Sequence, residues 1–429
     1  MTRSDSSAKL AATLIAAEAR RAAGAASRKP RVIVVAHTGF VAHAGRARLL
    51  SDELQSHGIE VLAAGDRLQP HWRLLGQRQF VDAPLIDREW IMSCAQERVS
   101  WGFYDEPTLG RHVEAWTRAL GSVRPLDAVV TDFALPALIA AECLRIPSIS
   151  IQNLLWTSHY RRALSAPENH WMVRALGAVR LGRFAREASG TLRITNGVYG
   201  VLQRRWAAPF NTVRRRLGLP RRSTFFRHSE GDLVLVADLE DLCARWMRLP
   251  HERIRPVGPL VWEPPAPELE EPESETFRRF LRDGGPFVYV SFGSSGTREL
   301  FQLVIDAFRD VQAAEGMRVA ITTGGQFENW DGWRALPPHI CRCRFFPGGE
   351  ALRMEGCRAV INHGGSGTVY QALAAAPGIP MLMIPTHADQ QWNAEMIQEL
   401  GFGQLAFASE LTAIGLRRRV LGLARSKGH

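Results

Sequence analysis

The sequence predicts two α/β lobes, each a parallel sheet with helices on both faces. Three observations lead there. From Arg31 onward, short apolar runs alternate with longer amphipathic segments, the pattern of repeated βαβ units. A proline- and glutamate-rich stretch from Glu263 to Thr276 interrupts this pattern, which restarts at Phe287. The chain has 429 residues, which at roughly 150 residues per domain is two or three domains.

The elements follow in order. Residues 1–29 form an N-terminal extension, read as an exposed Ala-rich helix or as residues ahead of the true start. Its apolar run, Leu10 to Ala17, is too short for a secretion signal, and Arg20 and Arg21 follow it. The first lobe spans residues 30–262. Val32–Ala36 is a buried strand, Ala44–His57 a helix ended by Gly58, and Ile59–Ala63 the next strand. Gly65 to Arg124 is Trp-rich and reads as helices and loops around a pocket. Asp127–Asp132, Pro136–Leu144 and Ser148–Gln152 are strand, helix and strand. Residues 263–276, with Pro264, Pro265, Pro267 and Pro272, are a stiff extended linker. Residues 277–429 are the second lobe. In it Phe287–Ser291, Arg318–Thr322, Ala359–Asn362 and Met381–Ile384 are strands, and Glu299–Ala314 and Thr368–Ala376 are helices. Two such lobes make a cleft the natural place for chemistry.

Composition excludes several classes. Hydrophobic residues are 46% and charged residues 22% of the chain, ordinary globular values. No run reaches the roughly 18 apolar residues of a membrane-spanning helix. Six cysteines are too few for a disulfide scaffold at this length, and Cys341 and Cys343 lack zinc spacing. Cys94, Cys143 and Cys243 read as reduced core thiols, so the expected location is cytoplasmic. The net charge of +10 is almost all arginine; Lys9, Lys29 and Lys427 are the three lysines. The stretch from Ala188 to Ser229 has no Asp or Glu and holds Arg204, Arg205, Arg214, Arg215, Arg216, Arg221, Arg222 and Arg227. It lacks a nucleic-acid motif, so no nucleic-acid partner is expected and a solvated face is the plainer reading. A peripheral membrane contact is compatible with it. A monomer or homodimer is expected.

The sharpest signal is Asn362-His363-Gly364-Gly365-Ser366-Gly367-Thr368, where a strand gives way to a helix. Glycines let a ligand approach the backbone, and a helix start offers unpaired N–H groups and about half a positive charge. That suits a diphosphate. His363 adds a side-chain donor and Thr368 a hydroxyl. Downstream, Asp389 and Gln390 leave a buried strand together. A carboxylate beside an amide suits vicinal sugar hydroxyls, although Asp389 also reads as a helix cap. Diphosphate and sugar together describe a nucleotide sugar.

Residues 345–403 resemble the donor-binding signature of the family-one, UDP-glycosyltransferase-like glycosyltransferases of bacterial macrolide and natural-product type. The resemblance implies the GT-B fold: two Rossmann-like lobes with parallel sheets facing a central cleft. It implies that His363, Gly364, Gly365, Ser366, Gly367 and Thr368 bind the diphosphate, with Ser294 in the facing loop. It implies that Asp389 and Gln390 read the sugar. The base-stacking position, eighteen residues before His363, is Phe345, next to Phe346. Gln371 stands where the family has a ribose-binding Glu, and Gly348 where it has a Gln. Uridine and thymidine donors therefore both stay open. In the first lobe the family places a catalytic His fifteen residues before the helix-ending Gly, which gives His43. His37 is the rival. The family's orienting Asp maps to Asp132, and a buried Asp needs a partner in any case.

These readings imply an inverting, metal-independent glycosyltransferase that moves a hexose from a UDP- or dTDP-sugar to a hydroxyl. His43, oriented by Asp132, is the base. No Asp-x-Asp motif is present, so no metal and no cofactor beyond the co-substrate sugar nucleotide is expected. Phe40, Trp72 and Trp156, with Trp90, Trp101 and Trp171, suggest a small, largely apolar acceptor, or are core residues. After Asn393 the chain ends with a short tail, in which Leu411–Arg425 is a reduced form of the family's last helix. Two rivals stay open: a GT-B sugar-nucleotide epimerase, and a non-catalytic nucleotide-sugar-binding helper.

Overall fold

A computed structural model describes residues 3–24, 28–76, 78–96, 102–162, 164–165, 189–248, 252–263, 272–310, 312 and 314–426. One compact unit ends at Trp262 and the second begins at Glu263. Trp101, Trp171, Ala188 and linker residues 264–271 lie outside the described residues.

The first unit is built on seven parallel strands: β1 (Arg31–Ala36), β2 (Glu60–Gly65), β3 (Phe80–Asp82), β4 (Ala128–Asp132), β5 (Ser148–Gln152), β6 (Leu233–Val236) and β7 (Ile254–Pro256). Their spatial order is β3-β2-β1-β4-β5-β6-β7. The central strands are apolar on both faces because helices cover both. Strands β3, β6 and β7 are too short to stand out in the sequence, although Leu233–Val236 is itself an apolar run.

The N-terminal segment is not an exposed extension. Residues Arg3–Ala23 form helix α1, and Ala8, Ala11, Ala12, Ile15, Ala16 and Ala19 are at most 1% exposed. They pack with Ala44, Ala47 and Leu50 of α2 (Val41–Ser56) over one face of the sheet. The small side chains permit close helix approach, and the i, i+3, i+4 spacing makes a single apolar stripe. Gly45 of α2 is a glycine for a similar reason: a Cβ there would lie 2.6 Å from the Trp262 indole.

The basic stretch also resolves into structure. It forms helix Ser189–Arg216 and the short helix Phe225–Ser229. Arg214 is almost wholly buried, and its Nη1 and Nη2 donate to both oxygens of Glu142 at 2.8 and 2.7 Å. Arg222 shares that carboxylate and donates to the carbonyls of Arg227 and Glu230. The two arginines therefore tie this segment to helix Leu135–Cys143.

The second unit has strands β8 (Phe287–Ser291), β9 (Arg318–Thr322), β10 (Ile340–Cys343), β11 (Cys357–Asn362), β12 (Met381–Met383) and β13 (Gln404–Leu405), in the order β10-β9-β8-β11-β12-β13. All described pairs are parallel. The end of the expected linker is helical: Pro272 starts helix Pro272–Asp283, a position that a missing N–H suits. Phe277 of that helix packs on Phe346 with ring centroids 5.0 Å apart. The C-terminal helix Ala413–Ser426 buries Leu416, Val420, Leu421 and Ala424 in this unit's own core. The tail is thus a structural part of the second lobe.

Replacing Glu142 by Ala leaves Arg214 charged and buried without its carboxylate, a loss of about 3–5 kcal/mol for a broken buried pair. Urea denaturation of Glu142→Ala is expected to show the first unit melting well below wild type. The double variant Glu142→Leu, Arg214→Met should recover part of the loss.

Candidate active site

In each unit the side chains of interest gather at the carboxyl end of the sheet, where neighbouring strands send their connections in opposite directions. That is the usual ligand position in open parallel sheets. In the first unit the point lies between β1 and β4, which pair in register through Ala36 and Asp132.

His37 follows β1 directly and is fully buried. Its Nε2 donates to the Ile86 carbonyl at 2.9 Å, and its Nδ1 accepts from the Gly39 N–H at 3.2 Å. Burial, then the nearby His43, pushes its pKa down to about 3. With both nitrogens engaged, this ring braces the loop. Gly39 lies so close to Arg88, Gln69 and His37 that a Cβ would sit 2.9 Å from each.

His43 lies on the first turn of α2 and is partly exposed. Its Nδ1 is 2.6 Å from Asp132 Oδ1. An ionised carboxylate only accepts, so Nδ1 carries the proton and Nε2 keeps the lone pair. Asp132 ends β4 and is buried. Burial alone would raise its pKa, but the Arg46 guanidinium, then His43, outweigh this and hold it below the ordinary range. Arg46 Nε is 2.8 Å from Oδ2 and Nη2 is 3.0 Å from Oδ1. Phe133, the next residue, has φ 57°, a conformation that costs a bulky residue about 1–3 kcal/mol. Its ring lies parallel to the imidazole, 5.6 Å away. Phe40 meets the imidazole edge-on, also at 5.6 Å.

The expected acceptor aromatics separate. Phe40 touches His43. Trp156 joins it through Phe133, with centroids 6.4 Å apart, and continues to Phe103 and Phe226. Trp72 instead packs on Phe80 with Arg67 and Arg73 over its ring, and shares no ring contact with the His43 group among the described residues. Trp90 donates its indole N–H to the Phe103 carbonyl. Sequence reasoning missed Arg46 and Phe133. The i+3 spacing from His43 on a helix was the available signal for Arg46.

In the second unit the corresponding point lies between β8 and β11. Gly364, with φ 80°, turns the chain after His363, and its carbonyl accepts from Asn393 Nδ2 at 2.6 Å. A Cβ on Gly364 would lie 2.8 Å from the Gln390 carbonyl. Gly365 is the N-cap of helix Ser366–Ala375. Having no side chain, it cannot cap the first turn, in which Ser366 and Thr368 are half-buried and Gly367 is exposed. His363 is buried, with its ring wedged where a Cβ on Gly293 or Gly365 would strike it. Burial, then His387, pushes its pKa down to about 4, and its Nδ1 has no hydrogen-bond partner. It is a neutral imidazole at neutral pH.

Other sites contribute. Ser294 follows Gly293 in the loop after β8. Gln390 is buried; its Nε2 donates to Ser295 Oγ at 2.6 Å, and its Oε1 accepts from the Thr386 N–H and hydroxyl at 2.9 Å. The amide thus links the loops after β8 and β12. Asp389 lies in the first turn of helix Ala388–Glu399, paired with His387 Nδ1. Burial raises its pKa, but His387, then His363, bring it below the ordinary value. Of the two phenylalanines, Phe346 is core and Phe345 is half-buried, stacked over Gly325. Gln371 and Gly348 are one feature: a Cβ on Gly348 would strike Gln371 Oε1. The amide fills the space that the glycine leaves.

Residues 319–426 match the family model described as Erythromycin biosynthesis protein CIII-like, C-terminal domain. The chain is 28% identical over 400 residues to a PGL/p-HBAD biosynthesis glycosyltransferase of Mycobacterium tuberculosis, covering 92% of this chain and 85% of the relative. The chain is a glycosyltransferase with the GT-B fold, similar to those of the family-one type. Its fold is similar to that of the glycosyltransferase of kitacinnamycin, with TM-score 0.61 at 18% identity over 94% of this chain and 92% of that one. Glycosyltransferase VinC, solved with dTDP, aligns with TM-score 0.59 at 18% identity over 92% of each chain. Among the described residues of this glycosyltransferase, no helix is long and apolar enough to cross a membrane.

Acid should destabilise the glycosyltransferase in a defined window. His37 and His228 fall to about 3 and His71 and His363 to about 4, in each case chiefly by burial. The unfolded chain takes up these protons near the ordinary 6.5, whereas the folded chain resists until pH about 3–4. Stability therefore declines as pH falls from 6.5 toward 4. Denaturant midpoints at pH 7 and pH 4.5 should differ, with the first unit, which holds three of the four rings, losing more. Equal midpoints would contradict this account.

Proposed function

We propose that this glycosyltransferase moves a hexose from a UDP- or dTDP-sugar to a hydroxyl of a small, largely apolar acceptor, with inversion and without a metal. The observation that carries the reading is the 2.6 Å contact between His43 Nδ1 and Asp132 Oδ1. It leaves Nε2 as a base on a partly exposed ring bordered by Phe40, Phe133 and, beyond it, Trp156.

In this reading Nε2 takes the proton of the acceptor hydroxyl as its oxygen bonds to the anomeric carbon. The bond from that carbon to the diphosphate oxygen breaks in the same displacement, which inverts the centre. Asp132 then faces an imidazolium and stabilises it. The leaving diphosphate carries the negative charge. The helix start at Ser366–Thr368 suits it, because backbone N–H groups and the helix dipole meet an anion without desolvating a counter-charge. His363, neutral and with a spare nitrogen, suits a hydrogen bond to a phosphate oxygen. Phe345 offers a face for the base, and Asp389 a carboxylate for sugar hydroxyls. VinC's dTDP supports keeping thymidine donors beside uridine donors. The apolar rings beside His43 support an apolar acceptor.

His43→Ala is expected to cut turnover by about 10²–10⁴, the usual worth of general-base help. It should leave intact the melting-temperature rise caused by UDP or dTDP, since ligand binding stabilises only a formed site. Transfer assays against a panel of nucleotide sugars and apolar alcohols or phenols test both halves. Undiminished turnover in the variant would remove His43 from the reaction.

A further inference from the structure

The cluster at Asp132 holds one more charge than a histidine–carboxylate pair needs. Arg46 sits one turn beyond His43 on α2 and is buried, 8% exposed. Its Nε and Nη2 face the two oxygens of Asp132. Nη2 is also 3.0 Å from His43 Nδ1. That nitrogen already carries a proton for Asp132, so two N–H groups crowd one carboxylate oxygen. The guanidinium is fixed from behind. Its Nη1 donates to Asn153 Oδ1 at 3.2 Å, Asn153 Nδ2 donates to Asp238 Oδ1 at 2.6 Å, and the other Asp238 oxygen accepts the Leu154 N–H. Arg46 therefore cannot retreat from the ring without breaking a network anchored after β5 and β6.

We propose that Arg46 is a positioning residue that keeps His43 neutral, so that Nε2 stays free to accept a proton. The inference rests on the base role given to His43 above. A carboxylate facing an imidazole alone raises the ring's proton affinity, so that a larger share of the base is already protonated at mildly acid pH. Arg46 opposes this twice. It takes half of the carboxylate's field, and it places a fixed positive charge beside the nitrogen that an imidazolium would present. Among the described residues, the other ionisable groups near the ring do not replace it. His37, 6.5 Å away between centroids, has both nitrogens engaged. Arg88 lies beyond Phe40, its guanidinium 5.9 Å from that ring. Phe40 and Phe133, whose ring centroids lie 5.6 Å from that of His43, do not ionise.

The test follows the His43 imidazole by NMR titration in the full chain, in wild type, Arg46→Met, Arg46→Gln and Arg46→Lys. Loss of a close charge typically moves a neighbour by about 1–3 pH units. The His43 midpoint is expected to rise by about one unit or more in Arg46→Met and Arg46→Gln, and to stay near wild type in Arg46→Lys. In transfer assays the acid limb of kcat/KM should move the same way. The neutral variants would lose about tenfold at pH 6 and approach wild type at pH 9. A residue that merely shaped the fold would lower kcat/KM by one factor at every pH. An unmoved midpoint in any folded neutral variant overturns the proposal. A moved midpoint with no sugar transfer by the wild type would uphold the proton-affinity role and dismiss the base role of His43. Should Arg46→Met not fold, Arg46→Gln carries the same comparison.

Discussion

The side-chain cluster of the first lobe depends on one buried carboxylate. Asp132 stands at the end of a central strand with almost no water around it. An isolated charge there would cost several kcal/mol. It is kept ionised because α2 brings two donors to it from successive turns, an imidazole and a guanidinium. The packing beneath them follows from this need. Gly45 lets Trp262 lie against α2, α1 covers that helix with alanines, and Phe133 accepts a left-handed backbone to lay its ring on the imidazole. Each of these features fixes a helix or ring whose displacement would strand the carboxylate.

The second lobe solves a different problem by different means. Helix Ser366–Ala375 has no acidic residue in its first turn and no side-chain cap at Gly365, so its start offers backbone polarity. Glycines at 293, 364 and 365 are there because an imidazole and a carbonyl occupy the space their side chains would need. His363 is held uncharged by burial, and Gln390 ties the loops after β8 and β12 together through Ser295 and Thr386. A surface of this kind can meet an anion with N–H groups and needs no buried cation of its own.

Much of this was legible in the sequence because its signals are local. Continuous apolar runs marked the central strands, and a strand–glycine–helix junction marked the turn at His363. The pairing of His43 with Asp132 was legible only through a resemblance, since 89 residues separate them. What stayed hidden depends on long-range packing. The α1 helix looks exposed by composition, because alanine is apolar enough to bury but too small to signal burial. Arg204, Arg205, Arg215, Arg216, Arg221 and Arg227 are exposed, as a charged face would have them, but Arg214 and Arg222 could not be told from them, because their partner Glu142 lies on another helix. Arg46 looked like an ordinary helix residue until β4 placed a carboxylate under it. Phe345 and Phe346 could be told apart only once Phe277 had claimed one of them.

Gly348 and Gln371 lean on each other: the amide oxygen stands where any side chain at 348 would have to begin. The contact falls on the far end of a flexible side chain, so a Cβ at 348 is admitted once that amide turns aside. Where the family carries Gln and Glu at these two places, this chain sets a bare backbone beneath a neutral amide. The rotamer of residue 371 is thus tied to whatever stands at 348, and a swap at one place resets the room open to the other.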